Sequence, residues 1–379
     1  MVKLTWAQAA AWRARRHHLD RRARAGKMLE VASRLCGLHA QVLSCAELQL
    51  WARVEGFDRG AIRQALWDDR TLVKCWAMRG TLHLLPSSDL PLWHGALAVN
   101  PRYLRRAVWK RAFGITLEEL DRFTKAIGAA LDGRVLTREE LMRAAAQITG
   151  APLPKHAMNS WGTVLRPAAF AGRLCFGPSE GQRVRFTRPD SWLGPTYRPP
   201  MEAKAAAAGV TRRYLAVYGP ATADDFAKWW GGGGITGARR WIEALGDEAE
   251  EVEVEGTRAW MLAADARGAR QSAPAKVVRL LPGFDPYVIG ASRHAHHLMA
   301  DVPRGRVYRQ QGWISAVLLV DGRMMGVWRH QLKGSRLEVA VEPFGRVPAW
   351  VRRGAAEEAE RLAKFVGGSL ELAWTEPRP

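Results

Sequence analysis

His39 and Gln41 stand two positions apart, just beyond an apolar helical stripe that Gly37 stops. On an extended segment, side chains at that spacing share a side, and both can hold one water molecule. The imidazole, with an unperturbed pKa of about 6.5, can take a proton from that water near neutral pH. The carboxamide can accept and donate hydrogen bonds, so it orients water without deprotonating it. A plainer reading stands beside this one: a polar residue after a helix end is commonly solvated or capping. Asp285 is the one acid in the apolar run RLLPGFDPYVIG. It could stabilise a nearby cation, but its place before Pro286 reads better as a turn cap. No lysine stands out as an imine-forming nucleophile. Arg293, His294, His296 and His297 crowd a polar segment between two strand-like runs. The histidines lack an acidic or cysteine partner for a metal, so no metal and no cofactor is assigned. Contact with a polyanion is the better use for them.

Basic residues extend this pattern. Arg79 sits in the turn between two extended runs. Arg102, Arg105, Arg106 and Lys110 follow the helix opening Asn100–Pro101, and Arg102, Arg105 and Arg106 fall at i+3 and i+4 spacings on one face. Arg323 follows the Asp321–Gly322 turn. Over the whole chain, 57 Lys+Arg face 37 Asp+Glu, a net charge of +20. Such an excess repels itself unless a polyanion neutralises it. The excess is mostly arginine, which suits bidentate phosphate contacts; duplex nucleic acid is the first candidate. An anionic lipid surface fits less well, because no isolated basic amphipathic helix is present. No apolar run approaches the roughly 18–20 residues that a membrane span needs, and the first residues carry no secretory pattern. The expected compartment is the cytoplasm, at the nucleoid. Cys36, Cys45, Cys75 and Cys175 form no CxxC pair, and all but Cys45 lie in apolar settings, as buried free thiols would. Among 17 tryptophans, Trp51, Trp67, Trp93, Trp161 and Trp241 fall on helix stripes, which marks them as core rather than stacking platforms.

The elements that must carry these side chains repeat. Thr5 with Gln8 opens a first helix by a capping box, and a second runs about Lys27–Cys36. A first pass then has a helix boxed by Ser44 and Glu47, a short helix after Asp58, and two extended runs meeting near Arg79–Gly80. A second pass has helices boxed by Thr116/Glu119 and Thr137/Glu140, a helix after Ser160, and runs around Leu174–Phe176 and Arg183–Phe186. A third has a helix through Arg212–Tyr218, a Thr222/Asp225 box, the helix GARRWIEAL and a hairpin EEVEVEG/RAWMLAA. Helices followed by a hairpin follow the winged-helix plan, in which the last helix enters the major groove and the wing reaches the backbone. From about Lys276 the texture is strand-rich, with Asp321–Gly322 as a hairpin turn and AWVRRGAAEEAERLAKFV as a closing helix. The expected fold is α+β: 1–115 with the first winged helix, 116–200 the second, 201–275 the third, and 276–379 a β-rich terminal domain.

Four segments, GLHAQ at 37–41, MRGTLHLL at 78–85, LRPAAFAGRL at 165–174, and RLLPGFDPYVIG followed by VLLVDGRMMGVW, resemble the tandem winged-helix DNA glycosylases typified by AlkZ and YcaQ. The resemblance implies a C-shaped basic cleft and a monomeric, monofunctional enzyme. It would hydrolyse the N-glycosidic bond of bulky N7-alkylpurines or crosslinks in duplex DNA, without flipping the base into a tight pocket. It also implies a hairpin that probes the DNA, for which the Asp321–Gly322 turn and the segment 291–306 both qualify. The family's catalytic triplet is Gln-x-Gln or Gln-x-Asp; here His39-Ala40-Gln41 keeps the second glutamine and replaces the first by histidine. A non-catalytic winged-helix regulator is the alternative; it needs no His-x-Gln pair.

Overall fold

A computed structural model describes residues 1–99, 106–155, 157–158, 162–181, 183–291, 296–299 and 304–375. Its helices and small sheets form two compact units, so the fold is mixed α+β. One unit comprises 1–61, 212–226 and 245–379; the other comprises 62–211 and 227–244.

The first unit is drawn from separate stretches of chain. Its larger sheet joins Val278–Leu281, Val317–Val320, Arg323–Lys333, Arg336–Pro343 and Ser369–Trp374 in that order. The first four are antiparallel neighbours and the last pair is parallel. Parallel pairing needs a crossover, and the helix Ala349–Val366 supplies it, covering one face with Val351, Ala355, Ala359 and Leu362. Gly354 lets it approach closely: a Cβ there would come within 2.8 Å of Val278. Trp51, Leu48, Tyr287 and Val288 complete this core. A smaller sheet places Val2–Leu4 parallel to Ala249–Val254, which pairs with Thr257–Leu262. The helix Trp6–Arg16 starts where the sequence puts it, with Thr5 and Gln8 making both bonds of a capping box.

The second unit contains the hairpin Leu72–Trp76/Leu82–Pro86. It also holds a three-stranded sheet in which Arg183–Thr187 pairs with both Leu136–Thr137 and Cys175–Glu180. Thr116/Glu119 and Thr137/Glu140 box the helices Leu117–Ala130 and Arg138–Thr149. In the first unit, Thr222 and Asp225 exchange equivalent bonds at the start of Ala223–Trp230. The Ser44/Glu47 box does not form. The helix Leu43–Trp51 is entered from extended Val42, which leaves Ser44 already inside its first turn.

Candidate active site

The local sequence explains how His39 is delivered. The helix Met28–Arg34 ends in a tight reversal in which Cys36 and Gly37 take φ of +62° and +90°. The Gly37 N–H donates to the Ala32 carbonyl at 2.9 Å. A glycine meets this geometry without strain. The chain leaves as the extended pair Leu38–His39 and bends at Gln41–Val42 before the next helix. Leu38 is fully buried, His39 is 6% exposed, and Gln41 is exposed.

Four side chains from elsewhere in the same unit fix this segment. The imidazole of His39 lies flat on the ring of Phe284, with centroids 4.9 Å apart and planes within 9°. Gln49, from the following helix, donates its Nε2–H groups to the carbonyls of both His39 (3.0 Å) and Phe284 (3.3 Å). One turn on, Arg53 donates to the Gln49 carbonyl at 3.0 Å and grips Asp285 with two bonds of 2.8 and 2.7 Å. Both ionic side chains are 0% exposed. Asp285 also accepts from the Tyr287 N–H at 2.9 Å, capping Pro286–Gly290. The capping role is therefore the one the structure shows. Both of its carboxylate oxygens are held by Arg53, so Asp285 serves the local fold. Phe284 holds φ at +58°, and Gly283 is closely packed, since a Cβ there would sit 3.1 Å from the Ile314 carbonyl. Trp313, half exposed, lies 5.2 Å from Phe284. Neither Gln49, Phe284 nor Trp313 was singled out from the sequence. The signals that could have found them are an amide and an arginine spaced i, i+4 in the apolar run LQLWAR, and a phenylalanine between Gly283 and Asp285.

The basic candidates scatter over both units. Arg79 takes φ of +59° in the turn Met78–Gly80 and is half-buried; it donates to the Trp229 carbonyl at 2.6 Å. Lys110 is exposed on the helix Arg106–Phe113, beside exposed Arg111. Arg106 begins that helix, while Arg102, Arg105, Arg293 and His294 lie outside the described residues. His296 and His297 are exposed in a short 3-10 turn, and His297 stacks on Trp6 at 4.2 Å. With Trp6, Glu255, Arg323 and Trp350, His297 lines a cavity of about 600 Å³ in the first unit; His39 and Gln41 do not border it. Arg323 is exposed. The Asp321–Gly322 turn, with φ of +49° and +80°, is tucked in rather than projecting. Asp321 accepts from the Val277 N–H, and the Gly322 carbonyl accepts from the Tyr287 hydroxyl at 2.7 Å. The tip of the next hairpin, 329–336, is exposed throughout.

Some of the positive charge serves the fold. Arg13 is 9% exposed and donates to the carbonyls of Tyr218 and Pro220; Arg16 reaches Ala216, and Arg22 pairs with Glu358. No disulfide joins the four cysteines, and Cys36, Cys75 and Cys175 are buried. Burial pushes the Cys75 thiol up to about 12, leaving it unreactive.

Three comparisons bear on this arrangement. The family model described as DNA glycosylase AlkZ-like matches residues 32–365. An interstrand DNA cross-link repair glycosylase of Streptomyces sahachiroi is 36% identical over 371 residues, which span 97% of this chain and 98% of that protein. The solved structure of the Streptomyces sahachiroi DNA glycosylase AlkZ aligns with a TM-score of 0.87 at 35% identity, covering 99% of this chain and 100% of that one.

Proposed function

Because this chain belongs to the AlkZ-like DNA glycosylase family, we propose that it hydrolyses the N-glycosidic bond of bulky N7-alkylpurines in duplex DNA, using one water held between His39 and Gln41. Membership makes it a DNA glycosylase and sets aside the non-catalytic regulator. An N7-alkylated purine already carries positive charge, so it departs with little acid assistance. The demands left to the enzyme are to stabilise a sugar of oxocarbenium character and to aim water at C1′. In this reading His39 accepts the water's proton and Gln41 fixes the water's direction, leaving an abasic site. The observation that carries it is an imidazole whose plane is held by Phe284, two residues before an exposed carboxamide.

The scaffold of this reading is three winged-helix modules around an open basic cleft, acting as a monomer. Arg102, Arg105, Arg106, Lys110, Arg293, His294, His296, His297 and Arg323 supply phosphate contacts from it, with Arg79 in the first wing. An open cleft accepts adducts that no tight pocket could enclose, so the base stays in the helix rather than being flipped out. The relative named for interstrand cross-link repair makes a crosslinked duplex a natural substrate to try. The test is abasic-site formation on duplexes bearing N7-methylguanine, a bulky N7 adduct or a crosslink, with wild type, His39→Ala and Gln41→Ala. Release by wild type that falls about 10²- to 10⁴-fold in His39→Ala supports general-base use. Equal release by all three proteins refutes it.

A further inference from the structure

We propose that Phe284 and Gln49 are positioning residues for the reaction: they set the plane and depth of the His39 imidazole from behind, without touching DNA. This rests on the reading of His39 as the group that handles water. Phe284 is 7% exposed and holds φ at +58°. A residue other than glycine is strained there, and such strain persists only where its surroundings enforce it. Glycine would occupy that backbone at less cost, so the feature worth retaining is the ring, and the ring lies flat on His39. Gln49 points to the same conclusion independently. Its side chain is fully buried, and its Oε1 meets no protein partner among the described residues. An apolar side chain would suit that interior better. What the amide contributes is two N–H groups that tie the carbonyl of His39 to the carbonyl of Phe284, segments 235 positions from Gln49 in one case and 10 in the other. The clamp is itself anchored one turn on, because Arg53 holds the Gln49 carbonyl and the Asp285 carboxylate together. Stack and clamp therefore fix one imidazole against one short loop, PGFDP.

The test combines kinetics with the resonance of the imidazole. Phe284→Leu, Phe284→Tyr and Gln49→Met are made in the wild type and in His39→Gln. Single-turnover release from N7-methylguanine duplex DNA and affinity for that duplex are measured, and proteins labelled with ¹³C-histidine are followed by NMR. The His39 signal is identified by its loss in His39→Gln. We expect Phe284→Leu to lower the release rate about 10- to 100-fold, as misplacement of a catalytic group does, with DNA affinity within about twofold. The His39 signal moves downfield as the ring current is lost. Phe284→Tyr restores both rate and signal. In the His39→Gln background the same Phe284→Leu change costs less than about threefold, which is the coupling expected of residues acting on one group. Gln49→Met gives the same pattern, and it decides the matter if Phe284→Leu does not fold. Equal losses in both backgrounds, or a His39 signal unmoved by Phe284→Leu and Gln49→Met, overturns the proposal. If His39→Gln itself releases base at the wild-type rate, the reading of His39 fails instead.

Discussion

Two buried histidines of the first unit lie against aromatic rings, yet their settings differ. His17 is 1% exposed and meets the edges of Tyr218 and Tyr287, each with ring centroids 5.1 Å away. Burial is the main cause holding its pKa well below the usual histidine value, and the charges of Arg53 and Arg13 add to it. It is a neutral core side chain. His39 instead meets a ring face, and the chain reaches solvent at Gln41 two residues on. Arg53 takes part in both settings: it disfavours a proton on His17, and through Gln49 it braces the segment of His39. An aromatic neighbour alone does not distinguish the two. What differs is the ring geometry and the exposed residue, Gln41, two positions beyond His39.

The comparison breaks most readily through mutation. His39→Ala should lower base release by about 10²- to 10⁴-fold with little change in melting temperature, whereas His17→Gln should leave release within about threefold and lower stability by about 1–2 kcal/mol. A rate loss in His17→Gln matching that of His39→Ala would erase the distinction. Next in size is the brace. Arg53→Met leaves the buried carboxylate of Asp285 unpaired and should cost about 3–5 kcal/mol in urea unfolding, most of it recovered in Arg53→Met/Asp285→Leu. An exposed-pair value below about 1 kcal/mol would show that the ion pair is not sealed.

Acid should expose the neutral class. Burial holds His17 well below its ordinary value and His94 at about 4. The unfolded chain binds these protons first, so stability is complete above about pH 6.5 and is lost as pH falls through the unfolded value. His94 should remove roughly 2 kcal/mol between pH 7.5 and pH 5, read as a falling urea midpoint, and His17 acts in the same direction. A flat profile over that range would contradict their neutral burial. Smallest is the effect of surface charge. Lys110→Ala and Arg111→Ala should each reduce the log–log salt slope of duplex binding by about 0.9 and leave the release rate at saturating enzyme unchanged.

Local rules carried much of the fold. Capping boxes at Thr5, Thr116, Thr137 and Thr222 are decided within four residues, and each forms. The one that does not, Ser44/Glu47, fails because the chain enters its helix earlier than the pattern suggests, and Glu47 lies half-buried. The turn at Asp321–Gly322 was likewise visible, but its burial was not, because the groups that hold it come from Val277 and Tyr287. The triplet at 39–41 could be read as candidate chemistry; the ring behind it could not. Phe284 and Asp285 meet Gln49 and Arg53 across more than 230 positions of sequence, and no periodicity encodes that. Net charge pointed to nucleic acid, and membership of a DNA glycosylase family agrees. It does not say which arginines face outward: Arg13 donates to the Tyr218 carbonyl and Arg361 to those of Trp51 and Val54.

The strand Val2–Leu4 lies beside Val252–Val254, and Arg22 meets Glu358 from 336 positions away. On the ribosome, at about 10 residues per second, the earlier partner waits roughly half a minute for the later one. During that interval the nascent chain shows an unpaired strand edge and the apolar face of Trp6–Arg16 to solvent. Such long-range closure slows folding, because the entropy of joining distant segments is lost before their contacts repay it.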